Sequence, residues 1–239
     1  VSVGNERLSS PSGVNFNFAG SGSGSTNSWS GEIASGTYFY LYPGSGSILQ
    51  LNGSVSSSGS DLYFNDSGKT VINGSFTNVG RIYGYAGTVE VNANLTTNYY
   101  PYLSGGTLGG TGTLAWNQAY PAYANGSINP GTSASTGILS TDEIAFQSNG
   151  SLSVQLNGTT AGAQHDRLNV TGSVALAGNL NVSLGTGYTP AIGDQFVILT
   201  NDSNDPISGT FNGLSEGGLF AVSGNYFQIT YTGGDGNDV

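Results

Sequence analysis

Few residues in this chain are equipped for acid–base chemistry. Its single histidine lies in His165-Asp166-Arg167, the one place where an imidazole, a carboxylate and a cation adjoin. In extended backbone successive side chains point to opposite faces, so His165 and Asp166 would not converge on one substrate. The plainer reading is a braced corner, with Asp166 and Arg167 holding a turn. Asp142-Glu143 is the only adjacent pair of carboxylates. Glycosidic cleavage needs two facing carboxyl groups roughly 5–10 Å apart, whereas strand neighbours diverge, so this pair reads as a solvated face. No catalytic residue is assigned.

Metal chemistry has one candidate. Gly233-Gly234-Asp235-Gly236-Asn237-Asp238 fits the opening of the calcium-binding nonapeptide, with Asp235 and Asp238 as oxygen ligands for Ca²⁺. Such a site is completed between successive turns, and one copy supplies only half of the ligands. A Gly-rich terminal turn is the simpler reading, and no cofactor is otherwise called for. Tyrosines offer the best binding surface. Tyr38, Tyr40 and Tyr42 share one face of a strand, where they could stack on sugar rings or on another subunit, or simply cover the side of the fold. Further aromatics follow at Tyr83, Tyr85, Tyr99, Tyr100, Tyr102, Trp116, Tyr120 and Tyr123. Ten Asn-x-Ser/Thr sequons exceed the roughly five expected by chance, an excess that repeated turn sequences explain.

These residues sit in an unusual background. Of 239 residues, 40 are Gly, 33 Ser, 24 Asn and 22 Thr, against four Lys/Arg and no Cys or Met. A formal charge of −10 leaves no footprint for phosphate backbones, so nucleic acid is excluded as a partner. No apolar run reaches the ~18 residues of a membrane helix. Long helices are excluded too, because strong helix formers are scarce and Gly interrupts every window. Disorder is disfavoured by 36% hydrophobic and 11% aromatic residues placed in alternation with polar ones. The absence of Cys, the acidity and the lack of an opening leader suggest a mature or excised segment of an exported bacterial surface protein.

The alternation identifies the elements. Thr88–Leu95, Ser151–Leu156 and Asn179–Leu184 each run with period two, the mark of strands with one buried face. Asn-Gly corners separate such runs at 52–53, 73–74, 125–126, 149–150, 157–158 and 212–213. Four of them extend to Asn-Gly-Ser-apolar, beginning at Asn52, Asn73, Asn125 and Asn149. Their gaps of 21, 52 and 24 residues read as about one, two and one coils of a parallel β-helix. Corners would then use Gly and Asn, and polar side chains would form ladders along the axis. A β-sandwich is the alternative all-β architecture. The chain reads as one domain over 1–239, less regular in 1–45.

One stretch resembles a known family. Ser104-Gly105-Gly106-Thr107-Leu108-Gly109-Gly110-Thr111-Gly112-Thr113-Leu114 is similar to the passenger-associated transport repeat of bacterial autotransporters. Gly126-Ser127-Ile128-Asn129-Pro130-Gly131-Thr132-Ser133, Asp166-Arg167-Leu168-Asn169-Val170-Thr171-Gly172 and Gly193-Asp194-Gln195-Phe196-Val197-Ile198-Leu199 follow in the family's order. The resemblance covers about 104–239. It implies a right-handed parallel β-helix exposed at a bacterial surface and no enzymatic activity by itself. The aspartate cluster with Gly-His-Gly of β-helical pectin hydrolases is missing, and so is the basic equipment of the lyases. The expected function is a non-catalytic structural subunit or stalk of an extracellular fibre, matrix or adhesin. Its expected partner is a further copy of itself, stacked head to tail through Val14, Phe16 and Phe18 at one end and Phe227, Ile229 and Tyr231 at the other. A carbohydrate- or host-binding module using the tyrosine faces is the second expectation, and a polysaccharide-active enzyme the third.

Overall fold

The computed structural model describes the backbone of residues 2–3, 8–9, 16–19, 24–35, 38–202, 205 and 207–239, and the side chains of 24–34, 39–202, 205 and 207–239. Strands account for all regular structure among the described residues, and they are three to six residues long through most of the chain. They form three parallel sheets of nine strands each, and every third strand in sequence is a neighbour in space. The first sheet runs from Ser2–Val3 to Asn179–Leu184, the second from Leu8–Ser9 to Leu199–Asn201, and the third from Phe16–Ala19 to Ile207–Gly209. This is the parallel β-helix read from the corner spacing. At about 4.8 Å per coil, nine coils give a rod roughly 40 Å long.

Register explains the alternation. In the first sheet Leu49, Thr70, Val89, Leu108, Ile128, Leu152 and Leu180 lie in one inward column. All but Leu180 are buried. The outward column beside it reads Ile48, Lys69, Thr88, Thr107, Ser127, Ser151 and Asn179. A one-residue slip would exchange these columns, so burial fixes the register of every coil at once.

Coil length varies along the rod. Successive partners Ile48, Lys69, Thr88, Thr107 and Ser127 are 21, 19, 19 and 20 residues apart. Asn52 and Asn73 occupy the corner between the first and second sheets, whereas Asn125 and Asn149 occupy that between the third and first. The 52-residue gap therefore spans two full coils and two sides of a third, instead of two long coils. At these corners the chain passes too close to the coil below for a side chain. A Cβ on Gly74 would collide with the Gly53 carbonyl, and one on Gly53 with that of Gly31.

The last coils are wider. Loops at 131–137, 157–166 and 185–198 leave the same corner in three successive coils. Beyond the third sheet the chain forms an antiparallel hairpin, Leu219–Val222 with Asn225–Gln228. It then returns so that Val239 pairs with Leu199, the two exchanging N–H···O bonds of 3.0 and 3.3 Å.

Candidate functional site

The outward column of the third sheet is the most distinctive surface. Tyr40, Tyr63, Tyr83, Tyr102 and Tyr123 stand in register on five consecutive coils. Outward positions of a parallel stack recur at the coil spacing, so like side chains placed there meet face to face. Ring centroids are 4.8 Å apart for Tyr40–Tyr63 and 4.9 Å for Tyr63–Tyr83, with interplanar angles of 25° and 9°. Tyr42 extends the stack beside Tyr40 at 5.7 Å, and Tyr85 beside Tyr83 at 6.2 Å. Tyr102 turns edge-on to Tyr83.

This geometry changes what the tyrosines can do. Tyr40 and Tyr63 turn their π faces to one another and to neighbouring rings, so a sugar reaching the middle of the column meets ring edges and hydroxyls. Tyr40 and Tyr42 are half-buried, and Tyr38 lies in the same strand with its side chain outside the described residues. Tyr63 went unselected in the sequence, yet it is the centre of the stack. The signal was its spacing, since 40, 63, 83, 102 and 123 step by 23, 20, 19 and 21 residues.

A second cluster adjoins the column. The Arg81 guanidinium lies 4.4 Å from the Tyr100 ring centroid, 5.5 Å from Tyr99 and 5.7 Å from Tyr83. Its backbone N–H donates to Asp61 Oδ1 at 2.7 Å. Tyr99, Tyr85 beside Tyr83 and Tyr120 beside Tyr100 are 44%, 45% and 58% exposed, so here aromatic rings do present free surface. Cation–π contact holds Arg81 in place and leaves a positive group on an acidic protein. Trp116, grouped with these aromatics in the sequence, instead points inward, buried, with Nε1 donating to the Tyr120 carbonyl at 2.8 Å.

The titratable groups singled out in the sequence hold corners together. His165 is buried, its Nδ1 3.1 Å from the Gly158 carbonyl and its Nε2 3.2 Å from that of Val197, and it meets Phe196 edge-on. Both ring nitrogens are taken up by backbone. Asp166 accepts from the N–H groups of Gly137 and Gln155 at 2.9 and 2.8 Å. Burial pushes its carboxyl up to about 6, against the pull of those two donors. Asp142 accepts from the Trp116 N–H at 2.7 Å and from the Thr171 hydroxyl at 3.2 Å, bracing two neighbouring coils where a solvated face was expected. Asp238 is buried, with Oδ1 accepting from the Asn201 N–H at 3.0 Å, and burial raises its carboxyl. Asp235, the other proposed Ca²⁺ ligand, is exposed on the turn closed by Gly233 and Asp238. Among the described residues no three His, Cys, Asp or Glu side chains gather as a metal would require.

One further feature carries no signal in the sequence. Lys69 and Glu90 form an ion pair at 3.1 Å, and the Ser133 N–H reaches Glu90 Oε1 at 2.8 Å, fastening the 131–137 loop across two coils. Asparagine ladders, in contrast, were anticipated. Asn73 donates to Asn52 at 2.8 Å and Asn92 to Asn73 at 3.1 Å, while Asn98 donates to Asn78 at 3.1 Å on another corner.

The residues assigned to the two ends are placed as follows. Phe16 and Phe18 lie on the first strand of the third sheet, with side chains outside the described residues, and Val14 lies wholly outside them. Phe227 is in the terminal hairpin. Ile229 and Tyr231 turn inward, 4% and 8% exposed, and the Tyr231 hydroxyl donates to the Leu214 carbonyl. These two therefore serve the core instead of an end surface. No family model, curated protein or solved structure matches the chain.

Proposed function

We propose that the chain is a non-catalytic structural rod of a bacterial cell surface, serving as a stalk or spacer. The observation that supports this reading best is the tyrosine stack, which runs along the axis across successive coils and consumes its own ring faces. Asparagine ladders at two corners act in the same direction. Each adds side-chain cohesion between coils to the backbone ladder, which is what a stiff element requires. Of the titratable groups, His165, Asp166 and Asp142 are engaged with backbone. The similarity of 104–239 to autotransporter passengers supports the extracellular setting. A head-to-tail filament draws less support from the C-terminal end, where Val239 already extends the second sheet.

A second reading rests on the Arg81 cluster, whose exposed Tyr85, Tyr99 and Tyr120 suit an adhesin that binds acidic glycans. Incubation with neutral and acidic polysaccharides separates the readings. A stalk releases no new reducing ends and shows no saturable binding. Binding that disappears in Tyr85/Tyr99/Tyr120→Ser would favour the adhesin, and new reducing ends would overturn the non-catalytic reading altogether. Antibody labelling of intact cells tests the surface setting.

A further inference from the structure

Composition narrows where these 239 residues can be oxidised. With no Cys and no Met, tyrosine and tryptophan are the readily oxidised side chains. Both tryptophans, Trp29 and Trp116, are buried, so oxidation from solvent falls on tyrosine. Among the described residues exposure alone ranks Tyr226 first at 80%, then Tyr120 at 58%, Tyr85 at 45% and Tyr99 at 44%.

Connection ranks them differently. Tyr42, Tyr40, Tyr63, Tyr83 and Tyr85 form one continuous run of rings, with centroids 5.7, 4.8, 4.9 and 6.2 Å apart and planes within 25° of parallel. Electron exchange between rings falls steeply with the gap, and offset-stacked rings at these separations leave little. An electron removed at any of the five is therefore replaced from a neighbour, and the hole moves along the run. The Asp61 carboxylate, 3.5 Å from the Tyr63 hydroxyl, can take up and return that phenol's proton as the hole arrives and leaves. The Arg81 guanidinium lies 5.7 Å from the Tyr83 ring centroid, and a positive hole does not settle beside a cation, so Tyr83 is a place of passage. Tyr42, Tyr40, Tyr63 and Tyr83 are half-buried, which leaves Tyr85 as the strongly exposed member, where water takes the proton for good. The other exposed rings stand outside the run: Tyr120 leans on Tyr100, Tyr99 packs on Arg81, and Tyr226 lies in the terminal hairpin.

We infer that Tyr85 is an oxidative cross-linking site, fed by the tyrosine run and joining two copies of this chain through a carbon–carbon bond between their Tyr85 rings. The oxidant is of the haem peroxidase class, acting with hydrogen peroxide. Each of the two Tyr85 phenols gives up an electron and a proton, and a single peroxide takes up both pairs to become two waters. The phenoxyl radicals carry spin on the Cε carbons beside the oxygen-bearing carbon, and one Cε of each ring joins the other. The hydrogens on those carbons then move to the oxygens, so both phenols are restored. A second copy is the fitting partner because coupling needs two radicals, and every copy delivers its own at the same place. The charge of −10 on each copy opposes their encounter, but beyond about 8 Å it is screened at physiological salt. This chemistry goes beyond the structural reading and does not depend on where the rod stands.

The test incubates the whole chain with a haem peroxidase and hydrogen peroxide. Dimers are read on denaturing gels, dityrosine by its fluorescence, and the joined residues by peptide mass spectrometry. The Tyr85–Tyr85 link is expected to dominate over links through Tyr226 or Tyr120, which exposure alone would favour. Tyr85→Phe should remove that link and most of the dimer. Tyr83→Phe keeps the ring and the packing but puts a far less oxidisable side chain in the run, so it should lower the Tyr85 link by more than half while Tyr85 stays in place. Both variants are conservative, and an unchanged thermal midpoint confirms that the fold is kept. The inference is overturned if the links follow exposure with Tyr226 leading, if Tyr85→Phe dimerises as the wild type does, or if Tyr83→Phe leaves the Tyr85 yield unchanged.

Discussion

Asp166 and Gly137 are 29 residues apart and joined by a hydrogen bond of 2.9 Å, in which the buried carboxylate accepts from the backbone N–H. Its other oxygen takes the Gln155 N–H, so a single side chain ties two successive loops to the strand beneath them. Because burial raises this carboxyl to about 6 from 3.8, the folded protein holds its proton where the unfolded chain has lost it. Stability contributed through this group therefore grows as pH falls from above 6 towards 4, by on the order of 1–2 kcal/mol once solvent screening is allowed for. Asp166→Asn removes the titration. The wild-type advantage over the variant should widen by that order between pH 7 and 4.5, read from urea midpoints. A constant difference would show that the group does not titrate in this window.

The Lys69–Glu90 pair makes a contrasting prediction. Glu90 is buried, and Lys69 is its only cationic partner among the described residues. Lys69→Met leaves a buried carboxylate with the Ser133 N–H but no cation beside it and should cost about 2–4 kcal/mol. The double variant Lys69→Met/Glu90→Met removes the stranded charge and should recover most of that loss. Chemical denaturation of all three proteins checks the ordering.

Tyr63 separates ring stacking from hydroxyl chemistry. Tyr63→Phe keeps the stack and should change stability by less than about 0.5 kcal/mol. Tyr63→Ala opens a gap between Tyr40 and Tyr83 and should cost about 2 kcal/mol, from two lost ring contacts and the exposed surface around them. Near-ultraviolet circular dichroism should lose the coupled tyrosine signal only in the alanine variant.

Asn73 sits mid-ladder, donating to Asn52 and accepting from Asn92. Asn73→Asp keeps the shape but sets a carboxylate oxygen against the Asn52 carbonyl oxygen. It should destabilise more than Asn73→Ala, by about 1 kcal/mol, and this excess should fade below pH 4 as the carboxyl gains a proton. Thermal melts of both variants at pH 7 and 3.5 test this.

How much was legible follows from which interactions repeat. Period-two runs such as Asn179–Leu184 and the corner sequences at Asn52 and Asn73 disclosed strands and coils because every coil reuses one pattern. The same logic made the asparagine ladders visible. It failed at Asn125, since the same four-residue corner serves two different edges of the rod and nothing in the tetrapeptide says which. Tyr63 carried a readable spacing that was passed over, whereas Arg81 carried none. Its environment is assembled from Tyr83, Tyr99 and Tyr100, and only folding puts three rings around one guanidinium.

The sequence by itself therefore determined an all-β solenoid with aromatic and asparagine columns, because in a solenoid sequence period is spatial neighbourhood. Tertiary structure alone decided that the tyrosine faces are spent on one another, since facing requires the coil register as well as the residue type. It also decided that Ile229 and Tyr231 turn inward, and that Val239 comes back to pair with Leu199. Those outcomes depend on how the chain leaves the last coil and returns through a hairpin. No periodicity encodes that path, because it occurs once.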